Sequence, residues 1–213
     1  MVLEIEKTYE LIGDIPFMKL YEAKIIDNLV KTFNLTNLLE LGFYHGVSSC
    51  YMASTLKEIG KGHLTTIDLH CAKDQYSPNI EQLLEKCDLR EYVTIYYENS
   101  YNWRLMKFIQ ENPDPIFDFC FIDGAHDWYT DALAFSLVDK LLKPGGWIIF
   151  DDINWTFAEC NEMKHFDYVK NMPFEEKTIP HIKLIFELLV QRNPNYCNFA
   201  VFNNGWGIAQ KKP

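Results

Sequence analysis

The chain has 213 residues, 48% hydrophobic and 23% charged, which suits one well-filled domain and excludes a disordered tail, a collagen or a coiled coil. Twenty Lys and Arg against thirty Asp and Glu leave a formal charge of −10, so a polyanion is repelled; no nucleic acid and no anionic membrane is expected as partner, and a small molecule is. No apolar run reaches the roughly 18 residues of a membrane span, and the opening MVLEIEKTYE has neither the basic start nor the apolar core of an export signal, so a cytoplasmic location is expected.

In chain order, residues 17–33 carry Leu20, Ala23, Ile26, Leu29 and Val30 at helical spacing and predict an amphipathic helix, within an N-terminal helical extension spanning 1–36. From residue 37 short apolar runs ending in Gly or Asp alternate with helical segments, the pattern of a parallel sheet with crossover helices. Strands are predicted at 38–41, 63–69, 93–97, 117–122 and 147–151, and helices at 47–59, 79–87, 101–111 and 129–142. Pro144-Gly145-Gly146 stops the last of these helices. Beyond a helix at 181–191, runs at 198–202 and 206–209 flank Asn203-Asn204-Gly205, a strong hairpin signal. The expected domain, 37–213, is α/β: a Rossmann-like, doubly wound, mostly parallel seven-stranded sheet ending in an antiparallel hairpin, with helices on both faces. Six cysteines without a CxxC pair, Cys50, Cys71, Cys87, Cys120, Cys160 and Cys197, read as reduced packing residues.

Ligands of such sheets bind at the carboxyl ends of the strands. The first strand ends in Glu40-Leu41-Gly42, and Gly46-Val47-Ser48 opens the following helix. Glycines four apart permit a tight turn and a close ligand approach, while the helix start favours an anionic group; a plain strand-to-helix turn would look the same. The second strand ends in Asp68, where a nucleotide-binding fold accepts ribose hydroxyls. Tyr44 occupies the position at which a dinucleotide fingerprint needs glycine, and no P-loop is present. The fourth strand ends in Asp123-Gly124-Ala125-His126 and the fifth in Asp151-Asp152. Three acids on neighbouring strand tips suit a hard cation such as Mg²⁺, although Asp also caps helices and forms turns, and His126 also reads as a loop residue.

These residues resemble class I S-adenosylmethionine-dependent methyltransferases, in particular the metal-dependent small-molecule O-methyltransferases of the sugar, macrolide and catechol type. ELGFYHGVS is similar to the family's first motif, IDLH to its second, and FIDGAHDWYTDALAFSLVDKLLKPGGWIIFDD to its fourth and fifth strands with the helix between. The resemblance implies a cofactor site of Glu40, Gly42, Gly46, Ser48, Asp68, Ser100 and Asp123, and a metal site of Asp123, Asp151 and Asp152. Catechol-type members carry a lysine base three residues beyond the first metal ligand. Here that position is His126, which with Asp123 forms the expected catalytic pair.

The implied reaction is in-line methyl transfer to a small-molecule hydroxyl, with the cation lowering the hydroxyl pKa and His126 accepting the proton. The aromatic and charged stretch 154–180 reads either as a lid or substrate wall or as an ordinary surface segment, and together with the N-terminal helix it offers a homodimer contact. Three other readings stay open: the same fold without metal, a cofactor-binding protein without catalysis, and a nicotinamide-dependent oxidoreductase.

Overall fold

The computed structural model of the protein describes residues 3–203 and 205–213. Its elements run α1 (Glu4–Ile12), α2 (Leu20–Phe33), β1 (Asn37–Leu41), α3 (Val47–Ile59), β2 (His63–Leu69), α4 (Ala72–Gln75), α5 (Ile80–Lys86), β3 (Val93–Glu98), α6 (Tyr101–Glu111), β4 (Phe117–Ile122) and α7 (Trp128–Leu141). Then come β5 (Leu142–Phe150), α8 (Asp167–Asn171), α9 (Phe174–Thr178), α10 (His181–Ile185), a wide turn of helix at Phe186–Val190, β6 (Tyr196–Val201) and β7 (Gly207–Lys211).

The strands form one sheet in the order β3-β2-β1-β4-β5-β7-β6. The first five are parallel, and β7 runs antiparallel to both β5 and β6. Central strands alternate their side chains between two buried faces, which is why their sequences read as unbroken apolar runs. Leu38, Phe119, Phe121 and Ile149 face one core with Ile26, Met52 and Leu56 of α2 and α3. Leu39, Cys120, Ile148 and Phe150 face the other, beneath α6, α7 and α10. The chain winds outward from β1 through β2 to β3, then returns to lay β4 on the other side of β1. The carboxyl ends of β1 and β4 therefore flank the point where the winding reverses.

Several boundaries differ from expectation for local physical reasons. The α2 helix starts at Leu20 rather than residue 17, because Phe17 takes a φ of 93°, and the Glu22 carboxylate accepts the Lys19 amide at 2.8 Å. Within the extension expected to be helical, no separate helix is expected at its start, because charges interrupt MVLEIEKTYE; Ile5, Thr8 and Ile12 of α1 nonetheless make a buried stripe against α3. Pro144-Gly145-Gly146 does follow the last crossover helix, but it belongs to β5. The β4–β5 ladder pairs Phe117 with Leu142 and then Phe119 with Trp147, so these residues form a bulge. Predicted strands at 198–202 and 206–209 become β6 and β7, Trp206 being drawn into the core against Phe121 at 5.6 Å between ring centroids. Asn204 of the hairpin turn lies outside the described residues, as do Met1 and Val2 of the expected extension.

The segment 154–180 is built of turns with α8 and α9. It is tied to α7 where Trp128 Nε1 donates to Glu176 at 3.0 Å, and just beyond it the Trp128 amide donates to His181 Nδ1 of α10 at 3.2 Å. All six cysteines are free, and Cys50, Cys87 and Cys120 are buried as expected, whereas Cys71 is exposed and Cys160 and Cys197 are half-buried. No described helix is long and apolar enough to cross a membrane. Removing the buried Trp206 ring as Trp206→Ala is expected to cost about 3–5 kcal/mol in chemical denaturation, and a loss under about 1 kcal/mol would contradict its core role.

Candidate active site

The loop from β1 to α3 leans against the end of β4. Gly42, at φ 86°, comes so close that an added Cβ would stand 1.8 Å from the Asp123 carbonyl oxygen. Gly46, at φ 93°, would put a Cβ 2.5 Å from the Ile80 side chain. Both glycines are thus required by positive φ and by close packing within the protein.

Asp68 ends β2 and holds this loop. One of its oxygens accepts the amides of Phe43 and Tyr44, each at 2.9 Å, and the other accepts the Leu69 amide at 2.6 Å. A carboxylate offers about four acceptor positions, so roughly one remains for a hydroxyl. Tyr44 stacks on Tyr76 at 3.9 Å and meets Phe17 edge-on at 4.9 Å. The strap 16–18, together with Tyr44, Ser48 and Asp123, borders a cavity of about 20 Å³. Nothing in the sequence patterning marked that strap, because it joins the site only through the tertiary fold.

Glu40 is wholly buried and accepts hydroxyl hydrogen bonds from Ser48, Ser49 and Thr66. Burial pushes its carboxyl up to about 7, although the three hydroxyls pull the other way. Glu40 and Ser48 therefore form an internal network beneath the loop. Ser100 caps α6, its hydroxyl accepting the Asn102 amide at 3.2 Å.

The acids at the ends of β4 and β5 converge on His126. Its Nδ1 lies 2.6 Å from the Gly124 carbonyl oxygen and its Nε2 lies 2.7 Å from Asp152 and 3.8 Å from Asp123. A carbonyl oxygen only accepts, so Nδ1 carries hydrogen and the ring shares a second proton with Asp152. Burial alone would lower the His126 pKa, but Asp152 and Asp123 outweigh it and push it up to about 10. Trp155 closes over this ring edge-on at 5.0 Å. Burial, with Asp151 adding, drives the Asp123 carboxyl well above the usual range; burial and Asp152 push Asp151 up to about 7.

Ligand atoms of Asp123, His126 and Asp152 all lie within 4.8 Å of one another. Asp151, expected as the third metal ligand, is absent from that group among the described residues; one of its oxygens accepts the Asp152 amide at 2.6 Å, and His126 lies beside Asp123 and Asp152 instead. The carboxylates of Asp123 and Asp152, with that of Asp151 beside them, are oxygen donors of the kind that a hard divalent cation such as Mg²⁺ or Mn²⁺ takes.

A family profile described as a methyltransferase domain matches residues 39–153. A Dictyostelium discoideum protein described as a probable caffeoyl-CoA O-methyltransferase is 29% identical over 188 residues, covering 86% of this chain and 72% of that one. The O-methyltransferase from Bacillus cereus, solved in complex with SAH, aligns over 98% of this chain and 90% of its own with 22% identity and a TM-score of 0.68. An O-methyltransferase from Streptomyces achromogenes involved in tomaymycin synthesis, solved in complex with SAM, aligns over 100% of this chain and 91% of its own with 17% identity and a TM-score of 0.68.

Because the folded Glu40 carboxyl titrates near 7 and an unfolded one near about 4.3, the folded state holds this proton more tightly. The associated stability is complete below the unfolded value and disappears as pH rises through the folded one. Glu40→Gln is therefore expected to flatten the fall in melting temperature between about pH 5 and pH 8; an unchanged slope would show that Glu40 does not titrate in this way.

Proposed function

Because the chain belongs to the methyltransferase domain family, we propose that it is an O-methyltransferase that uses S-adenosylmethionine and a hard divalent cation to methylate a small-molecule hydroxyl. The observation that carries this reading is the meeting, where the sheet reverses its winding, of the Asp68-anchored loop with the cluster of Asp123, His126 and Asp152. The loop 42–48 and Asp68 hold the cofactor, and Asp123 lies between cofactor and acceptor. Glu40 and Ser48 act from below by stiffening the loop, and Ser100 acts by fixing the start of α6. Asp123 and Asp152 hold the cation, with His126 and Asp151 beside them. When bound, the cofactor supplies an electrophilic methyl group and the cation supplies charge that lowers the pKa of the acceptor hydroxyl.

The protein's own contribution is alignment and proton handling. Transfer from a sulfonium is an in-line displacement, so the loop and the acidic cluster must keep donor and acceptor collinear. His126 already shares a proton with Asp152. The acceptor's proton enters at this His126–Asp152 pair. Trp155, edge-on to His126, offers an aromatic face to the acceptor. A cytoplasmic location, and a homodimer contact through exposed Phe166, Tyr168 and Phe174, complete the reading.

Calorimetric titration of S-adenosylmethionine tests it. Saturable binding is expected, weakened about tenfold or more in Asp68→Ala, which removes a charged acceptor from two loop amides. No binding with or without Mg²⁺ would remove the methyltransferase reading. In an acceptor screen, turnover is expected to stop on chelation and in Asp152→Ala. Chelator-resistant turnover would favour the same fold working without metal.

A further inference from the structure

We propose that Tyr101 and Asp131 are positioning residues that hold His126 in the geometry it needs at the cluster; the catalytic meaning of that geometry rests on the function proposed above. The loop 124–126 leaves β4 without regular structure, and His126 adopts a left-handed φ of 62°, which a non-glycine residue keeps only when its surroundings impose it. Tyr101 and Asp131 impose it here. The Tyr101 hydroxyl, reaching across from the first turn of α6, accepts the Ala125 amide at 3.2 Å and donates to one oxygen of Asp131. The other Asp131 oxygen accepts the His126 amide at 2.8 Å. Gly124 permits this arrangement: a Cβ there would lie 2.7 Å from the Tyr101 ring.

The burial of the pair separates this role from ordinary helix chemistry. An acid in the first turn of a helix is usually explained by the helix dipole and remains in water. Asp131 is instead 0% exposed and Tyr101 only 6% exposed, so a buried carboxylate and a buried phenol are devoted to two loop amides. Turning both amides inward swings the imidazole back so that Nδ1 meets Gly124 and Nε2 meets Asp152. The pair also ties the start of α6, beside Ser100, to the loop that carries Asp123 and His126, linking the two sides of the cleft.

The test uses full-length protein as Tyr101→Phe, which keeps the ring against Gly124 and removes only the hydroxyl, and as Asp131→Asn. Three quantities are read: the ¹⁵N imidazole resonances of His126 in metal-free protein, Mn²⁺ affinity by electron paramagnetic resonance, and SAH affinity by calorimetry. Both variants are expected to remain folded and to bind SAH within about twofold of wild type. Their His126 resonances are expected to move away from the doubly hydrogen-bonded position, and their Mn²⁺ affinity to fall about tenfold. A purely structural role would move SAH and Mn²⁺ affinity together or neither, and that result overturns the proposal. Wild-type imidazole resonances in both variants also overturn it. If one variant does not fold, the other decides. If wild-type protein binds no Mn²⁺, the cation part of the proposed function fails, and the metal-free imidazole resonances alone decide the positioning role.

Discussion

The contact on which the rest of the site depends is the approach of Gly42 to the Asp123 carbonyl, so tight that no side chain could be inserted between them. It joins the tips of β1 and β4, the two strands between which the sheet reverses its winding. Because the loop after β1 is pressed onto β4, its amides turn toward β2, where Asp68 takes those of Phe43 and Tyr44. Beneath it, Glu40 gathers the hydroxyls of Ser48, Ser49 and Thr66 and fixes the first turn of α3. The loop proposed to hold the cofactor, an acid at the second strand tip and a cluster at the fourth and fifth thus come from one backbone constraint.

The second organising force is electrostatic. Parallel strands deliver Asp123, Asp151 and Asp152 to one edge of a chain that already carries a formal charge of −10. Burial and mutual repulsion raise the carboxyls of Asp123 and Asp151, and the imidazole of His126 is drawn in as the compensating cation. A cluster balanced in this way suits a proton or a divalent cation by the same logic, which is why the proposed cation site rests on these residues. The Tyr101–Asp131 pair extends the same argument one layer outward, using a buried acid to shape a loop rather than to react.

Much of this fold was legible in the sequence because parallel strands buried on both faces leave continuous apolar runs, and their tips carry the polar residues. The five parallel strands, the terminal hairpin and the acids at the strand ends were all visible as pattern. What could not be read were the partners across space. Gly46 packs against Ile80 of α5, a neighbour that no local pattern announces. Glu40 gathers three hydroxyls from α3 and β2 that its own strand does not reveal. His126 rather than Asp151 draws up to Asp123 and Asp152, because one carboxylate oxygen of Asp151 turns to the neighbouring amide while the His126 backbone is left-handed. Asp131 reads as a helix-start acid, and no local signal distinguishes it from one left in water.

The central claim is that a single cleft between β1 and β4 serves both the cofactor and the acidic cluster. Hydrogen–deuterium exchange of the intact protein with and without SAH tests it most directly. The account predicts slowed exchange confined to the loop 42–48, the end of β2 near Asp68 and the loop 123–126. Saturable SAH binding that leaves the amides of 42–48 and 123–126 unprotected, or that protects a different face of the sheet, would contradict it.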